Sequence, residues 1–233
     1  LTLAEELVPA NRDFEMVWKP AATSAPTAAL FRERIGNEDY LLVMLTPPSG
    51  SVQPEAKPRE AIFVIDNSGS MSGPSMDQAK ESLLWALDRL TPGDTFNVIR
   101  FDDTLTVLFP DAVPAHGENL AVAKKFVKGL EANGGTEMLP ALRASLVDRN
   151  AGDDTRVRQV VFLTDGAISN ERELFHEITN NLGRSRLFTV GIGSAPNSYF
   201  MTRASEAGRG TFTHIGDVNE VAGAMDALFT ALE

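Results

Sequence analysis

The sequence predicts an α/β fold of three layers, a central and mostly parallel sheet held between two layers of helices. Three observations carry that prediction. Short unbroken apolar runs, Ile62-Phe63-Val64-Ile65 and Val160-Val161-Phe162-Leu163, have the pattern of strands buried on both faces. Between such runs lie stretches with apolar residues three and four apart, the spacing of amphipathic helices. Both runs stop abruptly at polar loops, Asp66-Asn67-Ser68-Gly69 and Thr164-Asp165-Gly166, and an open α/β sheet binds its ligands at the carboxyl ends of its strands.

Residues 1–58 read differently from the rest. Asp13 to Trp18 alternates polar and apolar like a half-buried strand, and Lys19 to Pro26 is a linker of small residues and proline. Ala29 to Arg34 and Tyr40 to Leu45 flank Gly36-Asn37, a hairpin signal, and the second run is expected to add a strand to the main sheet. Ser49 to Pro58 is a loop. This N-terminal β segment is expected to precede a second domain, residues 59–233.

In that second part, a helix is expected over Met76–Leu90, with Ala79, Leu83, Ala86, Leu87 and Leu90 on one face and Thr91-Pro92-Gly93 as its stop. Thr95–Phe101 and Thr104–Phe109 are strands joined at Asp102-Asp103, and they supply the one antiparallel edge. That acidic pair is the residue type a tight turn favours. Helices follow at Glu118–Ala132 and Glu137–Val147, where Pro140 is tolerated in the first turn. Then come strand Gln159–Thr164, helix Glu171–Leu182, strand Arg186–Ile192, helix Ser198–Ala207, strand Gly210–Ile215 and a closing helix Val218–Leu232.

Composition narrows the function. The chain has 233 residues, 43% of them hydrophobic, enough for a full core, and no cysteine. Thiol catalysis, disulfides and Cys-based metal sites are thereby excluded. A net charge of −11 with no Lys/Arg cluster argues against nucleic acid as a partner. It also means that an acidic partner is repelled almost everywhere except at a bound cation. No run is long enough for a membrane-spanning helix. Because the first residue is Leu1, the sequence is expected to be a piece of a longer protein, and a missing leader or anchor carries no meaning.

Several enzyme signatures fail. The loop after Ile65 lacks a Gly-x-x-x-x-Gly-Lys-Ser/Thr cradle, and Asp66 repels phosphate. Gly69-Ser70-Met71-Ser72-Gly73 has methionine where a nucleophile elbow needs serine. Gly191-Ile192-Gly193-Ser194-Ala195-Pro196 puts proline where a dinucleotide fingerprint needs its third glycine. His116, His176 and His214 lie outside the loops that carry the candidate ligands, so no general base stands out.

What the first loop does offer is Asp66, Ser68 and Ser70 at alternating positions, hard oxygen donors suited to Mg²⁺, Ca²⁺ or Mn²⁺. The same residues also suit a turn and a helix cap. Two later stretches decide between these readings. Gly134-Gly135-Thr136 brings a hydroxyl on a close-packing loop, and Leu163-Thr164-Asp165-Gly166 ends another buried strand in a carboxylate. Asp66, Ser68, Ser70, Thr136 and Asp165, in that order and on loops of that kind, resemble the metal-ion-dependent adhesion site of the von Willebrand factor type A domain.

The resemblance implies a Rossmann-like sheet and a metal touched by the hydroxyls, with one or both aspartates acting through water. Neutral direct ligands leave such an ion electrophilic, open to a carboxylate from another molecule. The hydroxyl-rich set favours Mg²⁺, with Mn²⁺ or Ca²⁺ as alternatives. The expected activity is adhesion or protein–protein recognition of an acidic protein or glycan, not catalysis. A metal-dependent hydrolase and a scaffold whose metal only stabilises loops are the alternatives. Asn11 to Trp18 further resembles the last strand of the domain preceding this module in inter-α-trypsin inhibitor heavy chains and bacterial surface relatives (the VIT–VWA arrangement). This implies an extracellular, periplasmic or cell-surface parent. In relatives the last helix slides between affinity states, an expectation that falls here on Val218–Leu232.

Overall fold

The computed structural model describes residues 26–47, 57–166 and 170–232. The predicted strand at Asp13–Trp18 therefore lies outside the described residues. The chain divides into two compact units, with the break between Glu55 and Ala56. In the first unit, β1 (Thr27–Ile35) and β2 (Glu38–Thr46) form an antiparallel hairpin of nine residue pairs around Gly36-Asn37. This corrects the expectation that Tyr40–Leu45 joins the main sheet. A two-residue turn places β1 beside β2 at almost no loop-closure cost, so the local partner wins.

The second unit contains β3 (Arg59–Asp66), α1 (Pro74–Asp88), β4 (Thr95–Phe101), β5 (Leu105–Val107) and β6 (Val113–Pro114). It continues with α2 (Gly117–Lys128), α3 (Met138–Leu146), β7 (Val157–Thr164), α4 (Glu171–Asn181) and β8 (Arg186–Ile192). It closes with α5 (Ser198–Ala207), β9 (Phe212–Ile215) and α6 (Val221–Leu232), the last preceded by a 3-10 turn at Val218–Glu220. The seven strands run in the order β5-β4-β3-β7-β8-β9, with β6 also on β4. Every pairing from β4 through β9 is parallel, and β5 and β6 are antiparallel to β4.

The antiparallel edge is therefore split in two, and Asn97 is the reason. Its side chain on β4 takes the backbone of Phe109, donating to the carbonyl at 2.7 Å and accepting the N–H at 3.1 Å. An amide side chain stands in for the ladder there, and Pro110 ends pairing one residue later.

Alternation along the strands feeds two cores. Phe63 and Ile65 of β3 pack with α1, α2 and α6, while Ile62 and Val64 pack with α3, α4 and α5. Leu83 and Leu87 of α1 are fully buried, each worth about 1.5–3 kcal/mol of apolar transfer. The helix predicted over Glu118–Ala132 stops at Lys128, because Gly129 turns back onto the carbonyls of Lys125 and Phe126. Parallel pairing aligns the strand ends: Asp66 sits opposite Phe101, and Ile65 opposite Leu163. The loops after β3, β4 and β7 consequently meet at one end of the sheet.

Candidate metal centre

The loop after β3 is a 3-10 turn, Gly69–Met71, whose side chains face different ways. Asp66 and Ser68 are fully buried, Ser70 is exposed, and the Ser68 and Ser70 hydroxyl oxygens lie 3.1 Å apart. Met71 is fully buried in the core on the α1 side, so it is a packing residue. The chain then leaves through Gly73, at φ +75, into α1 with Pro74 at its first turn.

Asp66 is held on both oxygens. The Ser68 N–H donates to Oδ1 at 2.8 Å, and the Thr164 hydroxyl donates to Oδ2 at 2.6 Å. Thr164 in turn accepts the Gly166 N–H at 2.9 Å. Burial pushes the Asp66 carboxyl above the ordinary carboxylate range, and the neighbouring Asp165 charge adds to the push. Hydrogen bonds from Ser68 and Thr164 only partly offset it. Thr164, which orients the Asp66 carboxylate, was not among the residues singled out from the sequence. Its signal was a threonine closing a fully apolar run, at the same level of the sheet as Asp66.

Asp165 is half-buried and electrostatically coupled to Asp66; its carbonyl accepts the Asn197 N–H at 2.9 Å. Gly166 follows at φ +72, where a Cβ would meet that of Asn197 at 3.0 Å. Thr136 is half-buried on the loop before α3. Two bonds tie that loop to the first: Gly69 N–H to the Gly134 carbonyl at 3.1 Å, and Asn133 N–H to the Asn67 carbonyl at 2.8 Å. Gly134 allows the approach because it sits at φ +74 and a Cβ would lie 2.9 Å from Asp103 Oδ1. Asp66, Ser68, Ser70 and Asp165 are thus brought together directly, and Thr136 through its loop.

The remaining acidic and histidine side chains stand outside this donor set. Asp102 closes its turn by accepting the Thr104 N–H at 2.7 Å and hydroxyl at 2.6 Å. Glu137 is exposed at the start of α3. His176 faces Asn180, and His214 Nε2 lies 2.9 Å from the Gly193 carbonyl oxygen. Among the described residues no three His, Asp or Glu side chains converge, so the donor set is hydroxyl-rich and carboxylate-poor. A buried carboxylate whose pKa is raised, beside two converging hydroxyls and a second aspartate, is a set that fits a hard divalent cation.

A family model described as the von Willebrand factor type A domain matches residues 59–214. Human inter-alpha-trypsin inhibitor heavy chain H4 is 37% identical over 147 residues, covering 58% of this chain and 16% of that protein. A solved von Willebrand factor type A structure from Catenulispora acidiphila superimposes with a TM-score of 0.68 and 26% identity, over 91% of this chain and 46% of that one. Mussel byssus proximal thread matrix protein 1, solved with zinc in its MIDAS motif, superimposes at 0.58 with 15% identity, over 76% of this chain and 48% of that one. At that identity the likeness concerns the fold alone. The chain spans less than a quarter of the length of the curated relatives it matches.

Proposed function

This chain belongs to the von Willebrand factor type A domain family, and from that premise we propose that it is a divalent-metal-dependent recognition module for an acidic protein or glycan. One observation carries the reading: Asp66, fully buried with its pKa raised, lies beside the Ser68 and Ser70 hydroxyls and under the charge of Asp165. A divalent ion balances two carboxylates, and Ser68, Ser70, Thr136, Asp66 and Asp165 would hold it. Bound there, the ion supplies an electrophilic position for a partner's carboxylate. Mg²⁺ is the ion this hydroxyl-rich set favours, with Mn²⁺ and Ca²⁺ as competitors.

The chain's own residues do the rest. Thr164 and the Ser68 N–H keep both Asp66 oxygens oriented, so that this carboxylate is held in place before charge arrives. A net charge of −11 repels acidic molecules in general, which favours docking at a cation held by these loops. Among the described residues no helix is long and apolar enough to cross a membrane. The likeness to a heavy chain supports an extracellular or cell-surface setting for the parent protein.

Isothermal titration of chelator-treated protein with Mg²⁺, Mn²⁺ and Ca²⁺ tests the reading. Saturable binding is expected in the wild type and its loss in Asp165→Ala. Capture of a partner that disappears in chelator then separates recognition from mere loop stabilisation. Wild-type protein that binds none of the three ions would remove the mechanism.

A further inference from the structure

We propose that Asp102, through Asn67, is the positioning residue that clamps the Thr136 loop against the Ser68–Ser70 loop, and so sets metal affinity without touching metal. The inference rests on the metal-centre reading above and goes further by assigning a role to a turn residue.

Asp102 does two separable things. With Oδ1 it closes its own turn on Thr104. With Oδ2 it reaches out, accepting from Asn67 Nδ2 at 3.0 Å and from Arg100 Nη1 at 2.9 Å. A turn needs only the first set. Asn67 is the residue between Asp66 and Ser68, so the second set grips the metal loop at its centre. Asn67 Nδ2 also donates to the Glu131 carbonyl at 3.2 Å, which leads into the loop carrying Thr136.

The backbone repeats the arrangement. Asn67 N–H donates to the Phe101 carbonyl at 2.8 Å, and Glu137 N–H donates to the Asp102 carbonyl at 2.7 Å. Thr136 is therefore held from both sides, by Gly69 on Gly134 before it and by Asp102 on Glu137 after it. Three loops far apart in sequence converge on the Asn67–Asp102 pair. The other oxygen of Asn67, Oδ1, is buried without a hydrogen-bond partner, in a residue only 5% exposed. A fold that only needed a turn here has no reason to bury an amide this way. The amide's orientation is dictated by what its nitrogen holds, at the cost of an unsatisfied acceptor.

The test is the substitution Asp102→Asn, which keeps an oxygen for either Thr104 or Asn67 but not for both. Asn67→Ala, which removes the same bond from the other side, serves as the second variant should the first fail to fold. Mn²⁺ affinity is measured by calorimetry on the folded proteins at low temperature, where a merely structural loss of stability leaves the dissociation constant unmoved. Each variant is expected to bind about 10–100-fold more weakly, and the double variant no more weakly than either single. In chelator, amide exchange at Gly69, Asn133 and Glu137 is expected to quicken by about tenfold or more, a readout that needs no metal. Wild-type binding with unchanged affinity in both variants would overturn the clamp while leaving the metal centre standing. No wild-type binding at all would instead sink the metal reading, and the assignment of Asp102 with it.

Discussion

At the amino ends of the parallel strands the buried carboxylates each meet an arginine; at the carboxyl ends Asp66 is buried as deeply beside hydroxyls, amides and the like charge of Asp165. Arg59 pairs with Asp94 at 3.1 Å, and Glu60 lies between Arg158 at 3.1 Å and Arg184 at 2.6 Å. Arg184 also binds Asp148 at 2.7 Å. Among the described residues no ion pair joins Asp66 to lysine or arginine, and its bonds come from Ser68 and Thr164. The titration directions follow. Although burial opposes ionisation at Asp94 and Asp148, hydrogen bonds and their arginines bring both below the ordinary carboxylate value, whereas burial leaves Asp66 above it. At one end arginines offset the buried carboxylates from within the chain; at the other Asp102 meets Arg100, but Asp66 meets no such cation among the described residues.

The hardest way to break this contrast is to remove a cation from the completed end. Arg158 has a side chain 2% exposed, donating to Glu60, to Ser185 Oγ at 2.6 Å and to the Ser145 and Val147 carbonyls at 2.8 and 2.9 Å. Arg158→Met strands all of these acceptors and is expected to cost about 3–5 kcal/mol in urea unfolding. Mn²⁺ affinity of the folded variant should stay within about twofold of wild type, because the metal loops lie at the other end. A loss below about 1 kcal/mol would show that the arginine network is dispensable and the contrast superficial.

The next perturbation acts on the unfinished end and has the opposite sign. Asp66→Asn removes a buried negative charge that the chain does not neutralise. The metal-free protein is expected to gain about 1 kcal/mol, the size of change common where function holds a residue away from its stability optimum. The same variant should lose its response to metal, whereas the wild type gains about 2.7 kcal/mol at a hundredfold excess over the dissociation constant. Urea titrations with Mn²⁺ and with chelator read both effects. Destabilisation of the metal-free variant would mean that Thr164 and Ser68 already satisfy the carboxylate, which weakens the case for a cation.

The completed end was the less legible in the sequence. Asp66 and Asp165 stand out because polar residues break off buried apolar runs, whereas Ser68, Ser70 and Thr136 are singled out by resemblance to the von Willebrand factor type A motif; the ends of parallel strands lie together whatever the loops do. Strands Thr95–Phe101 and Arg186–Ile192 and helix Ser198–Ala207 were readable to the residue, since burial on one or both faces forces their periodicity. Glu60, Arg158 and Arg184 are different. Each is a charge at or just before a strand start, where an exposed residue is the ordinary expectation. Only the register that brings β3 beside β7 turns them into a buried network. Asn97 and Asp102 escaped for a related reason: an amide that replaces a ladder bond and a turn aspartate with an outward oxygen look like any other polar residues until their partners are known.

Acid is the mildest probe, and it sharpens the contrast without a mutation at the metal loops. Asp94 accepts the Arg59 N–H at 2.7 Å and the Thr91 N–H at 2.8 Å besides its ion pair, and its pKa lies below the ordinary aspartate value of 3.8. A carboxyl depressed in the folded state binds fewer protons there than in the unfolded chain. Its stabilisation is therefore complete above pH 3.8 and is lost as pH falls through the folded value. Between pH 7 and pH 5 this end should contribute no change in the urea midpoint. Below pH 3.8 the wild type should weaken more steeply than Asp94→Asn, whose pH-independent amide has nothing to lose. A raised carboxyl has the reverse slope, so the uncompensated charge of Asp66 weakens the metal-free fold as pH rises through its folded pKa. If wild type and Asp94→Asn fall in parallel below pH 3.8, the arginine is not what holds that carboxylate ionised. The contrast between the two ends of the sheet would then lose its electrostatic basis at Asp94.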